Sequence, residues 1–168
     1  MINKSTLEAV EELEKEIVEM LSYEEMKDNH SKEYEEFSKD KVFYAFSDEQ
    51  FKDGMQKLGL DADKEEDLKK VVHFFNGCYA LKSEVPNLEK LLQNFTERQK
   101  KLIEEDKTGD GFIYSMFKYE LANHEYGYTY ELDDTLDALG LTYKEIQEKA
   151  NLKHGLEKAL ADYKEEYE

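Results

Sequence analysis

An α+β fold, predominantly helical and forming a single domain with a small antiparallel sheet of two or three short strands, follows from three features of this 168-residue chain. Twelve Tyr and nine Phe make it far too aromatic for an entropic tail. One Pro and eight Gly leave little material for long irregular loops. Apolar residues recur at three- and four-residue steps through several segments, while two short aromatic runs flank the hairpin dipeptide Asn76-Gly77. The length suits one domain that buries about two-thirds of its unfolded surface.

A first helix is expected over residues 5–26, where Leu7, Val10, Leu13, Ile17, Met20 and Leu21 make one apolar stripe. Glu8, Glu12, Glu16 and Glu19 line another face. Like charges four apart each cost roughly 0.2–0.5 kcal/mol, which Lys4 and Lys15 offset only in part. Asp28, Asn29, His30 and Ser31 read as a break before a short segment at 32–37. Val42-Phe43-Tyr44-Ala45-Phe46 is short and aromatic, hence a strand. Ser47 with Gln50 forms a capping box for a helix that reaches Leu58 and stops at Gly59. Residues 61–67 are polar and read as a loop or frayed turn.

Val71-Val72-His73-Phe74-Phe75 and Cys78-Tyr79-Ala80-Leu81 pair across Asn76-Gly77 as a hairpin. Ser83 caps a long helix through Leu88, Leu91, Leu92, Phe95, Leu102 and Ile103, with Pro86 tolerated in its first turn. Gly109 and Gly111 interrupt it. A helix over 112–124 follows, then a short one through Leu132, Leu136 and Leu139 that Gly140 terminates. Thr142 and Glu145 form a second capping box, and Leu152, Leu156, Leu160, Tyr163 and Tyr167 stripe the final helix. The domain therefore comprises an acidic N-terminal helix (5–26), a mixed centre (37–106) and a C-terminal helical part (110–167), without internal repeat or flexible linker.

Charge is segregated along the chain. Lys and Arg total 23 against 41 Asp and Glu, a formal net of −18. Residues 1–36 and residues 119–168 each carry a net of −8, whereas residues 37–118 carry only −2. Such ends repel nucleic acid and anionic lipid and suit a protein partner with a basic surface. Neither a direct nucleic-acid nor a membrane partner is expected. A lone cysteine among aromatic neighbours, Cys78, reads as a small buried apolar residue in a reducing compartment. The N-terminus lacks a basic-then-apolar signal, and a cytoplasmic protein is expected.

Two constellations invite chemistry. Asp106-Lys107-Thr108-Gly109-Asp110-Gly111-Phe112-Ile113 has the opening pattern of an EF-hand loop, but the twelfth position, where a bidentate Glu belongs, holds Phe117. It reads as an interhelical turn with Asp110 as a helix cap, and neither a metal nor another cofactor is expected. Glu120 and His124 are four apart on the apolar side of their helix. Such a pair holds a catalytic metal only with a third ligand, and His30, His73 and His154 are scattered. A buried structural hydrogen bond is the preferred reading. The tyrosines Tyr126, Tyr128 and Tyr130 offer contact area for a partner. No nucleophile or phosphate-loop signature accompanies them.

The stretch Met116-Phe117-Lys118-Tyr119-Glu120-Leu121-Ala122-Asn123-His124-Glu125-Tyr126, with Thr135-Leu136-Asp137-Ala138-Leu139-Gly140-Leu141-Thr142, resembles small, uncharacterised acidic proteins encoded by bacteriophages and other mobile elements. Phe43-Tyr44-Ala45-Phe46-Ser47-Asp48-Glu49-Gln50-Phe51 extends the resemblance upstream, while Gly127 and Thr108-Gly109-Asp110 look particular to this sequence. The resemblance transfers no catalytic residue. It implies an accessory product in a bacterial host cell. The leading functional reading is an inhibitor of a host defence nuclease, of anti-CRISPR or anti-restriction type, whose acidic surface mimics nucleic acid. Glu8, Glu12, Glu16, Glu19, Asp133, Asp134, Asp137, Glu165 and Glu166 would form that surface, the two ends lying side by side. The alternative is an interaction adaptor using Tyr126, Tyr128 and Tyr130, with acidity serving only solubility. A metal-dependent hydrolase centred on Glu120 and His124 ranks third, so no enzymatic activity is expected.

Overall fold

The computed structural model describes Glu8 and residues 21–167. Most are helical, and three short strands form one antiparallel sheet, so the α+β class holds. In chain order the elements are α1 (Tyr23–Ser38), β1 (Val42–Tyr44), α2 (Asp48–Lys57), α3 (Glu65–Leu68), β2 (Val71–Phe75) and β3 (Cys78–Leu81). After a 3-10 turn come α4 (Val85–Glu105), α5 (Phe112–Asn123), α6 (Tyr126–Thr129), α7 (Asp133–Leu139), α8 (Tyr143–Glu148) and α9 (Ala150–Tyr167). The chain divides into two compact units, one spanning Asn29–Thr96 and the other formed by the chain up to Asp28 together with Glu97 onward.

The Asn29–Thr96 unit is built on the sheet, in the order β1-β3-β2. Val42 lies opposite Ala80 and Phe43 opposite Tyr79, so the two-residue period sends alternate side chains to opposite faces. Val42, Cys78 and Ala80 join Leu88 on one face, and Phe43 packs with Met55 and Phe51 on the other. Cys78 is buried, as its aromatic neighbours predict. The hairpin turns on Asn76 and Gly77, with φ of 31° and 72°, the paired positive values that this dipeptide favours. Gly54 brings α2 onto the sheet: a Cβ there would meet the Phe43 ring at 2.0 Å.

Strand β1 ends two residues early. The Phe46 N–H donates to Gln50 Oε1 at 2.7 Å, so the expected box is one-sided: Ser47 Oγ accepts from Gln50 N–H, but Gln50 reaches past Ser47. The expected loop at 61–67 holds the short helix α3.

The other unit is helical, its core drawn from Phe112, Ile113, Met116, Phe117 and Leu121 of α5 with Leu152, Leu156 and Ala159 of α9. Its helix boundaries correct the sequence reading twice. First, α1 begins at Tyr23, inside the stripe expected to run unbroken to Met26, because Ser22 and Glu25 cap it reciprocally. It then continues through Asp28–Ser31 with no break. Apart from Glu8 and residues 21–26, the expected N-terminal helix lies outside the described residues.

Second, the final helix is two. Lys149 is extended, with φ −109° and ψ 108°. Two residues on, the Asn151 amide donates to the carbonyls of Ile103 and Asp106 at 3.1 and 2.9 Å, and its Oδ1 accepts from the Leu152 N–H. Among the described residues no helix is long and apolar enough to cross a membrane.

Candidate functional site

Between Lys118 and Lys144 the chain carries six carboxylates, five tyrosines and neither Lys nor Arg. This stretch folds as the end of α5, the turn α6, helix α7 and the start of α8. Left-handed residues bracket α6: Glu125 has φ 53° and Tyr130 φ 55°. Each such residue costs on the order of 1–2 kcal/mol. Aromatic packing holds the turn there. Tyr126 sits edge-on to Tyr163 at 5.6 Å and to Tyr130 at 5.9 Å, and the Gly127 N–H donates to Tyr163 Oη at 3.1 Å. A Cβ on residue 127 would lie 2.8 Å from that hydroxyl. Tyr126 is thus half-buried against the core, whereas Tyr128 and Tyr130 are 88% and 63% exposed. Of the three expected contact tyrosines, two stand free of the core and one roots them.

The turn feeds α7, where Asp133, Asp134 and Asp137 are all exposed. The i,i+3 and i,i+4 spacings put them on adjoining strips of one helix. The Tyr143 hydroxyl donates to Asp133 Oδ1 at 3.0 Å, and this bond pushes the phenol pKa up. Tyr143, itself 51% exposed, was not singled out by its sequence context. Nothing local marks it, because its partner is ten residues away.

The other expected acids are placed differently. Glu8 is helical and exposed; Glu12, Glu16 and Glu19 lie outside the described residues. Glu165 and Glu166 are exposed on α9, and Lys118 pairs with Glu166 at 2.9 Å. Asp110 is similarly compensated, accepting from His154 at 2.9 Å and Lys158 at 3.0 Å, which together hold its carboxyl below the usual range.

Glu120 is 2% exposed yet charged. Burial raises its pKa, but three donors outweigh that: the Tyr23 hydroxyl at 2.5 Å, Lys27 at 3.2 Å and His124 Nε2 at 3.1 Å. The net shift is downward. Burial, then the Glu120 bond, drives the Tyr23 phenol strongly up, so that it remains a donor. The Glu120–His124 contact joins the expected pair. Tyr23 and Lys27, which complete the cluster, were not anticipated, although their own four-residue spacing was visible in the sequence.

The loop before α5 corrects the reading of Asp110. The N-cap position is Gly111, and the carboxylate that serves the start of the helix is that of Asp106, which accepts N–H bonds from Gly109, Gly111 and Ile113 at 3.0, 3.2 and 2.9 Å. Both oxygens serve the backbone. Among the described residues no group of three His, Cys, Asp or Glu side chains is placed to hold a metal ion.

Residues 22–162 match a family of unknown function, DUF7659, and the chain belongs to that family. Neither a curated protein nor a solved structure matches it.

Proposed function

We propose that this protein is the accessory product of a bacteriophage or other mobile element that acts in the bacterial cytoplasm and inhibits a host defence nuclease, of CRISPR or restriction type, by presenting an acidic surface to its nucleic-acid channel. The observation that supports this is the stretch without Lys or Arg that contains α7. Three carboxylates on a seven-residue helix, at about 1.5 Å rise per residue, give one charge per roughly 3.5 Å. A single DNA strand carries one per about 3.4 Å. One short helix therefore matches the linear density of one strand over about three nucleotides, and further exposed acids must extend it.

The test is cleavage by purified CRISPR and restriction nucleases with and without the protein. Inhibition should weaken steeply between low and high salt, and the triple change Asp133→Lys, Asp134→Lys, Asp137→Lys should abolish it. Inhibition indifferent to ionic strength would sink the reading. The exposure of Tyr128 favours a second reading, an adaptor in which the tyrosines bind and the acids only solubilise. In that case Tyr128→Ala weakens partner binding and the triple charge change does not.

A further inference from the structure

Three tyrosine–carboxylate hydrogen bonds recur in the helical unit, and two of them hold a lysine. Tyr23 donates to Glu120, and Lys27 bonds the same carboxylate while lying 5.6 Å from the Tyr23 ring and 5.1 Å from that of Tyr119. Tyr114 donates to Asp162 at 2.5 Å, and Lys158 and Lys118 lie 4.8 and 5.9 Å from its ring while pairing with Asp110 and Glu166. The third is Tyr143 with Asp133. Among the described residues no cation lies over Tyr143, Tyr128 or Tyr130. The neighbouring Lys144 turns to Glu148, at 3.8 Å. The arrangement that the chain fills twice with its own cations recurs at Tyr143 and Asp133, which are both exposed and which no lysine or arginine among the described residues occupies.

We propose that the stretch from α6 to the start of α8, which exposes Tyr128, Tyr130 and Tyr143 together with Asp133, Asp134 and Asp137, is a docking surface for arginine side chains of a protein partner. Aromatic faces and carboxylates together select a cation and reject phosphate and acidic proteins. The choice of arginine follows from exposure. Lys27, Lys118 and Lys158 are tethered to the same chain and are about 40% exposed, so each is partly stripped of water by the fold. A partner's side chain arrives untethered at rings that are 51–88% exposed. An ammonium keeps its hydration there, whereas the weakly hydrated, planar guanidinium stacks on a ring and forks to a carboxylate. This deepens the inhibitor reading by naming what the basic partner presents, and it rests on that reading only for the partner's identity.

The probes are two synthetic peptides of equal charge, (Gly-Arg)4 and (Gly-Lys)4, titrated calorimetrically into the full chain at one ionic strength. The arginine peptide should bind about five-fold or more tighter. Tyr128→Ala and Tyr143→Ala should each reduce that preference without shifting the melting temperature by more than a degree or two, Tyr128 being the safer variant because it is the more exposed. Asp133→Asn with Asp134→Asn should weaken both peptides, and the arginine peptide the more, because its forked carboxylate contact is lost. Equal affinity for the two peptides, or a preference that survives both tyrosine changes, overturns the proposal. An arginine preference lost in these variants but accompanied by inhibition of no nuclease supports the proposal and removes the nuclease. Nuclease inhibition undiminished by Tyr128→Ala together with Tyr143→Ala overturns the proposal and leaves the nuclease reading standing.

Discussion

Glu120 shows how one carboxylate is kept charged in a protein interior. Three donors from two helices surround it, and removing any one leaves a buried acceptor short of a partner. Its folded pKa lies below the ordinary 4.5. The stability it contributes is therefore complete above about pH 4.5 and disappears as pH falls through the depressed value. Glu120→Gln should cost about 2–3 kcal/mol at pH 7, less than a fully buried pair because Lys27 is 41% exposed. The variant should also flatten the acid limb of the stability curve, read by urea unfolding from pH 7 to pH 3. Equal pH slopes in the two proteins would refute this account. The Glu120–His124 pairing was legible in helical spacing alone. Tyr23 and Lys27 were not, since nothing in a one-dimensional pattern says which helix faces which.

At the scale of elements, close approach of α9 and α5 depends on a residue that looks like a defect. Gly155 sits inside a helix, where alanine would be worth up to about 1 kcal/mol more. A Cβ at that position would lie 2.5 Å from Ile113 Cγ2 and 2.8 Å from the Gly109 carbonyl oxygen. Gly155→Ala should thus lower the melting temperature, with a net loss of about 1–2 kcal/mol after the propensity gain, measured by thermal unfolding. A rise would mean the helices slide apart at little expense. Caps were the most legible local features: Thr142 and Glu145 form the expected reciprocal box. The equivalent Ser22–Glu25 box was just as visible but was masked by an apolar periodicity that runs across it. The break at Lys149 was not legible, because Asn151 is drawn to carbonyls more than forty residues away.

For the molecule as a whole, a net charge of −18 opposes compaction by self-repulsion. Raising NaCl from about 20 mM to about 500 mM should screen that repulsion and raise the melting temperature by a few degrees. A fall would show that local pairs such as Lys118–Glu166 outweigh the net term. The same salt change should dissolve complexes with a basic partner. One condition thus separates the protein's own stability from its binding.

Composition and periodicity by themselves determined the class of fold, the hairpin at Asn76-Gly77, the burial of Cys78 and the run of sequence from which cations are missing. These are properties of neighbours along the chain, which propensity, spacing and charge report directly. Only the tertiary structure decided which acids stay uncompensated. Glu166 and Asp110 meet lysines 48 residues away, while Asp133 meets a tyrosine whose ring is open to solvent. Electrostatic neutralisation acts across a few ångströms of space, and distance along a chain does not measure it.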